Sequence, residues 1–123
     1  MTQLVPHLLL RAEPGASETA SLLRSAGYMV SRIDDDTIAV EIAGSNHVDG
    51  LIVELTALAS INFVRRMEAR HDQNVAVLVV TQSVDALRRA LPHVRTIRTS
   101  QIQDDLISTV DLALVAHQMQ STG

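Results

Sequence analysis

VDGLIVEL, at residues 48–55, is an almost unbroken apolar run that presents one acid, Glu54, near its end. A second run, VAVLVV at residues 75–80, is followed directly by Thr81. Such runs are typical of parallel strands that are buried on both faces, because neither side of the strand needs to be polar. In open sheets of this kind, ligands gather at the C-terminal strand ends. Glu54 and Thr81 are therefore candidate site residues.

Shorter apolar segments and helical patterns alternate with these two runs. Strands are predicted at residues 5–11, 28–33, 48–55, 75–80 and 94–98, and helices at residues 17–26, 37–43, 60–70, 83–90 and 100–118. Strict alternation of this kind predicts an α/β fold, with a doubly wound, five-stranded parallel sheet covered by helices on both faces. With 123 residues the chain is predicted to form a single domain over residues 1–123.

Local signals mark the ends of several predicted helices. Gly27 and Gly44 stand where a glycine ends a helix, after the first and second helical patterns. Ser100 and Gln103 form a capping-box pattern at the start of the last helix, in which each side chain can bond the other's backbone N–H. The tail at residues 120–123 is predicted to be frayed.

Composition excludes several function classes. The chain is 46% hydrophobic and 20% charged, which is typical of a globular domain. A net charge of −4 and an aromatic content of 2% argue against nucleic-acid binding. All ten cationic side chains are arginines, so lysine-dependent phosphate loops and Schiff-base chemistry are excluded. The N-terminal segment lacks signal-peptide and membrane-span patterns, so we expect a cytoplasmic protein.

Metal and cofactor motifs are absent from the sequence. There is no cysteine, which removes disulfides and thiolate metal sites. Residues 34–36 are consecutive aspartates, which we interpret as a charged turn. The histidines are far apart and form no zinc motif; they are His7, His47, His71, His93 and His117. We therefore expect no metal, no cofactor and no enzymatic activity.

Three segments form a pattern: LLLRAEP at residues 8–14, DGLIVEL at residues 49–55 and VLVVT at residues 77–81. Together they resemble the receiver domain of response regulators, which has a flavodoxin-like (βα)5 fold. The resemblance implies that Glu54 occupies the place of the phosphorylated aspartate and Thr81 that of the switch hydroxyl. It also implies that Arg98 is the nearest candidate for the family's lysine, and that Glu13 belongs to its Mg²⁺-binding acid cluster.

Departures from the family pattern indicate a degenerate receiver that does not use phosphate. Arg11 and Ala12 replace acids of the Mg²⁺ cluster, leaving only Glu13. Glu54 is one methylene longer than the family's aspartate. Since phosphoryl transfer depends on charge neutralisation by metal and cation, acyl-phosphate formation at Glu54 should be very slow. We hypothesise that Glu54 supplies a permanent negative charge that pairs with Arg11 or Arg98, although Glu54 could equally be an ordinary solvated acid.

The last predicted helix has more apolar surface than the sheet needs. Ile102, Leu106, Val110 and Leu114 form the stripe that is expected to pack on the sheet, and Ile107, Leu112 and Val115 lie outside it. Surplus apolar surface often marks a binding site for another protein. The resemblance implies that the surface around the fourth and fifth helices is such a site, and that it could form a homodimer.

These observations favour a receiver-like signalling module in bacterial signal transduction that acts through protein–protein interaction, independently of phosphorylation. Two alternatives stay open. The first is a sensor of a small anionic ligand gripped at the strand ends by Arg11, Arg98 and Thr81. The second is a true phospho-acceptor that uses Glu13 and Glu54 with a reduced demand for metal.

Overall fold

The computed structural model describes residues 5–15, 18–44, 48–70 and 75–122, and for residues 120–122 it describes the backbone alone. Five strands and five α-helices alternate along these residues. They are β1 (His7–Ala12), α1 (Glu18–Ser25), β2 (Met29–Ile33), α2 (Asp36–Ala43), β3 (Gly50–Glu54), α3 (Ala57–Arg70), β4 (Ala76–Thr81), α4 (Val84–Ala90), β5 (Arg95–Arg98) and α5 (Ile102–Thr122).

The strands form one parallel sheet in the order β2-β1-β3-β4-β5. The chain therefore crosses β1 when it passes from β2 to β3, and the C-terminal ends of β1 and β3 lie side by side. In this register Ala12 is paired with Glu54, and Thr81 is paired with Arg98. The predicted fold class, a five-stranded doubly wound parallel sheet, is confirmed.

Two hydrophobic clusters cover the two faces of the sheet. On one face Leu9, Leu51, Val53 and Val79 pack against α2, α3 and α4. On the other face Leu8, Leu10, Ile52 and Leu78 pack against α1 and α5. Successive side chains of a strand point to opposite faces, so these clusters fix the side of the sheet on which each strand-end residue lies.

Both predicted helix ends are confirmed, although only the first requires a glycine. Gly27 has a φ of 99°, which a glycine adopts without the strain of a Cβ atom. Its N–H donates to the Arg24 carbonyl at 3.0 Å, and the N–H of Tyr28 donates to the Leu23 carbonyl at 3.2 Å, as in a Schellman motif. Gly44 instead has a φ of −84°, so its position needs no glycine.

The starts of α3 and α5 differ from the predictions. Helix α3 begins at Ala57 rather than residue 60, because the Thr56 hydroxyl accepts a hydrogen bond from the Ala59 N–H at 3.3 Å. The predicted capping box is wrong, since Ser100 lies inside a 3-10 turn (Thr99–Gln101) and the Gln103 amide donates to Glu18 at 2.8 Å. Helix α5 continues to Thr122, so the tail is helical as far as that residue.

Some predictions fall on residues outside the described ranges. They concern the first-helix start at residue 17, His47, His71 and the final residue, Gly123. Among the helices in the described ranges, none combines the length and the apolar character that crossing a bilayer requires.

Candidate functional site

Glu54 ends β3 at the C-terminal edge of the sheet, beside Ala12 of β1. Its side chain lies on the α1 and α5 face, since Ile52, two residues earlier, packs in that cluster. The Thr19 hydroxyl, at the start of α1, donates a hydrogen bond to Glu54 Oε2 at 2.9 Å. Thr19 is fully buried. The other carboxyl oxygen, Oε1, is also buried and has no hydrogen-bond partner among the described residues.

The surroundings of Glu54 disfavour its charged form. Burial raises the pKa of the Glu54 carboxyl above its ordinary value, and the nearby Glu18 charge raises it further. The Thr19 hydrogen bond and the Arg32 charge act in the opposite direction without cancelling the effect of burial. Glu54 is therefore not a fully solvated acid at the strand end, and its negative charge is costly to maintain.

Arg32 is the cation that acts on Glu54, and sequence analysis missed it. It lies on β2, paired in register with Leu10, which packs in the cluster on the α1 and α5 face. Arg32 therefore projects to the same face as Glu54. Its guanidinium donates to the backbone carbonyl of Glu13. The alternation of side chains along β2 could have placed Arg32 on the same face as Val30, because Ser31 and Ile33 point to the other face.

Arg11 does not pair with Glu54, so that part of the switch hypothesis is wrong. Its Nε donates to Asp36 Oδ1 at 2.6 Å, and a terminal nitrogen donates to the Ala12 carbonyl at 3.2 Å. Arg11 is 9% exposed. The physical reason is strand alternation: Arg11 follows Leu9 on the α2 face, whereas Glu54 lies on the opposite face. Arg11 is neither solvent-facing nor a counter-cation for Glu54.

Arg98 and Thr81 end adjacent strands but make separate contacts. Arg98 is exposed and donates to the Gln82 carbonyl at 3.3 Å, so it does not pair with Glu54 either. Thr81 is buried, and its hydroxyl accepts a hydrogen bond from the Ser83 N–H at 3.0 Å. This contact fixes the loop that enters α4. Whether Thr81 moves as a switch residue stays a prediction.

A crevice of about 420 Å³ opens at the ends of β3 and β4. Its lining includes Glu54, Thr81, Ser83 and Thr99. Neither Arg11 nor Arg98 lines this crevice, so the cations that the anionic-ligand alternative required do not surround it. The lining contains hydroxyls and one acid, which is a poor environment for a small anion.

The residues present at the strand ends do not fit a Mg²⁺ ion. This ion prefers an octahedral set of oxygens that includes one or two carboxylates. Beside Glu54 the neighbouring strand offers the methyl group of Ala12, and Glu13 is exposed. In the described parts of the chain no three acidic or histidine side chains converge as metal ligands. The charge of Arg32, on the same face, opposes a cation there.

Comparison with solved structures places this architecture among known folds. A response regulator from Thermotoga maritima superposes with a TM-score of 0.68 at 17% identity, covering 91% of this chain and 99% of that one. The receiver domain of a putative LuxO repressor from Vibrio parahaemolyticus gives a TM-score of 0.69 at 16% identity, covering 97% of each chain. The chain has the receiver-domain fold.

A third receiver-fold structure carries the ion that this site does not fit. The receiver domain of the sensor histidine kinase PA1611 from Pseudomonas aeruginosa, with magnesium coordinated in its active-site cleft, gives a TM-score of 0.67 at 16% identity. It covers 90% of this chain and 98% of that one. No family model matches this chain, and no curated protein matches it. These similarities establish the receiver fold.

Proposed function

We propose that this chain is a receiver-like signalling module that works without phosphorylation and acts by binding another protein. The observation that carries this proposal is the setting of Glu54. Its carboxyl is half-buried, bonded to Thr19 and faced by Arg32, where the resemblance would place an aspartate beside a metal. A non-enzymatic role in bacterial signal transduction is the function most consistent with a receiver fold that lacks this chemistry.

Electrostatics explains why phosphate chemistry is disfavoured. A receiver needs a divalent cation to neutralise the phosphoryl oxygens during transfer. Two unit positive charges about 4 Å apart repel each other by about 4 kcal/mol at an effective dielectric constant of about 20, and a divalent ion doubles this energy. Arg32 places such a charge on the face of Glu54, while Ala12 provides no compensating oxygen.

Addition of Mg²⁺ and beryllofluoride is expected to leave the protein unchanged. We expect no saturable shift of the amide resonances of residues 54–57 and 81–83 in ¹H–¹⁵N spectra, because a metal–fluoride complex has no ligand set at this edge. A magnesium-binding receiver domain measured in parallel provides the positive control. Saturable shifts that disappear in Glu54→Gln would establish a working phospho-acceptor site and refute the proposal.

The fifth helix supplies the binding surface in this proposal. Leu112 is 58% exposed, Val115 is 52% exposed and Met119 is 70% exposed. Their spacing of three and four residues places them on one side of α5, away from the buried stripe of Ile102, Leu106 and Val110. We propose that this exposed apolar stripe of α5 binds a second copy of the chain or another signalling protein, without α4, which packs on the other face of the sheet.

Replacement of both Leu112 and Val115 by Glu is expected to abolish self-association. Sedimentation velocity over a range of protein concentrations should show dimers of the unaltered chain and monomers of the variant. Leu58→Glu is the matched control, because Leu58 is 69% exposed and lies on α3, on the other side of the sheet. A chain that stays monomeric up to its solubility limit would refute the homodimer.

A further inference from the structure

A second crevice lies at the opposite edge of the sheet from Glu54. It is formed by the N-terminal ends of β4 and β5 and by the second half of α5, and its volume is about 210 Å³. Small side chains create the space, since Ala76, Ala113 and Ala116 form part of its wall. Helix α5 contributes Ala113, Ala116 and His117 to this crevice, and none of these belongs to the exposed apolar stripe.

Three nitrogen-bearing side chains line this crevice: His93, Arg95 and His117. Arg95 begins β5, and Ile97, two residues later, packs in the cluster beneath α5. Strand alternation therefore directs Arg95 towards the α5 face, where His117 lies on the helix. The sequence separates these three residues by as many as 24 positions, and the parallel sheet brings them to one place.

The hydrogen-bonding capacity of these groups is largely unused. Within the described ranges, neither the Arg95 guanidinium nor the His117 ring has a hydrogen-bond or ion-pair partner. His93 differs from these two residues, because its Nε2–H is already donated to Glu68 at 2.6 Å. Glu68 does not line the crevice, and this contact occupies one of its oxygens.

We infer that this crevice is a binding site for a small oxyanion, such as the phosphate or carboxylate group of a metabolite. A guanidinium fork suits such groups because it can donate two parallel hydrogen bonds, and the His117 imidazole can supply a further N–H. The volume favours a small ligand, since sites for drug-sized molecules occupy about 300–1,000 Å³. Two imidazoles without a third protein ligand are too few for a zinc site.

The position also avoids two features that would oppose an anion. The acid of the strand-end site, Glu54, is at the other edge of the sheet. The negative end of the α5 dipole acts within the last turn of the helix, and His117 precedes the end of α5 at Thr122 by more than one turn. The inference goes beyond the proposed function, because it concerns neither the Glu54 site nor the exposed apolar stripe.

Titration with inorganic phosphate at constant ionic strength tests the inference. We expect saturable shifts of the amide resonances of residues 76, 94–95 and 116–117 in the ¹⁵N-labelled protein, with a Kd of about 1 mM or tighter. Arg95→Gln should raise this Kd about tenfold by removing a charge-assisted bidentate contact. His117→Gln should raise it less. Arg95 is exposed and His117 is partly exposed, and circular dichroism would test whether the variants are folded.

Arg98→Gln is the matched control, because Arg98 is an exposed arginine at the far end of the same strand. Its Kd should equal that of the unaltered protein. A parallel titration with succinate distinguishes the ligand sources: binding of phosphate alone indicates a phosphorylated ligand, and binding of succinate alone indicates a dicarboxylate. The inference is wrong if neither anion gives saturable shifts, or if Arg95→Gln and Arg98→Gln weaken binding equally.

Discussion

Thr19→Val is expected to lower the free energy of unfolding by about 2 kcal/mol near pH 7. The substitution keeps the shape of a fully buried side chain and removes the hydroxyl that bonds Glu54 Oε2. Since Glu54 Oε1 already has no partner in the described parts of the chain, both oxygens of the carboxylate would then be without a protein donor. Urea denaturation of the two proteins measures the difference.

The pH dependence separates this electrostatic effect from a packing defect. Burial raises the pKa of Glu54 in the folded state, so the folded protein holds the proton more tightly than the unfolded chain. Glu54 therefore contributes its full stabilisation at pH values below its pKa in the unfolded chain. This contribution is lost as the pH rises through the pKa of Glu54 in the folded protein. The loss caused by Thr19→Val should accordingly be larger near pH 7 than near pH 3, where Glu54 is largely protonated in both states.

Glu54→Gln supplies the matched control for this experiment. It removes the charge and keeps an oxygen that can accept the Thr19 hydrogen bond. Its stability should match that of the unaltered protein at low pH and exceed it at neutral pH. In the Glu54→Gln background, Thr19→Val should cost less than it does beside the carboxylate, and the difference measures the coupling between the two residues. An equal cost in both backgrounds, at both pH values, would show that Thr19 contributes by packing alone.

Asp36→Ala is expected to destabilise the protein by about 3 kcal/mol, the larger of the two effects. Asp36 Oδ1 accepts from Arg11 Nε at 2.6 Å, and the Arg11 side chain is 11% exposed. Without Asp36, the buried guanidinium would retain its bond to the Ala12 carbonyl and lose its counter-charge. The cost arises from this uncompensated charge, and denaturant midpoints of the two proteins measure it.

Two further variants show whether buried charge is the cause. Arg11→Met fills a similar volume without a charge, so adding it to Asp36→Ala should restore much of the lost stability. Glu41→Ala breaks the ion pair between Glu41 and Arg70, whose side chains are 55% and 52% exposed. Loss of this exposed pair, in which Glu41 lies on the same helix as Asp36, should cost about 0.5 kcal/mol. Equal losses from Asp36→Ala and Glu41→Ala would contradict the assignment.

Much of the fold could be predicted from the sequence because the strands are continuous apolar runs. A strand that is buried on both faces is a continuous apolar run, and this pattern does not depend on the neighbouring elements. The limits of β3 and β4 accordingly lie within one or two residues of their predicted limits. Helix starts were harder to place. The capping hydroxyl of Thr56 and the 3-10 turn before α5 depend on how the chain leaves the sheet, and periodicity does not report this.

The site was predicted in position but not in its contacts. Glu54 was expected at a strand end, and the structure places it there. Strand alternation could have excluded its pairing with Arg11, because Arg11 follows Leu9 and Glu54 follows Ile52 on opposite faces. Thr19 could not have been identified from the sequence, since its contact depends on the packing of α1 against the end of β3. Such tertiary placement has no local signature.

The hydrogen bond between Gln103 and Glu18 links the first turn of α5 to an acid whose charge acts on Glu54. Gln103 holds one oxygen of Glu18 at 2.8 Å, and the Glu18 charge helps to raise the pKa of Glu54. A protein that docked along α5 and displaced the Gln103 amide would alter the electrostatic potential at Glu54. Because linkage is reciprocal, protonation of Glu54 would in turn change the affinity of the chain for that protein. A change in the pKa of the Glu54 carboxyl would therefore report that a protein is bound to α5.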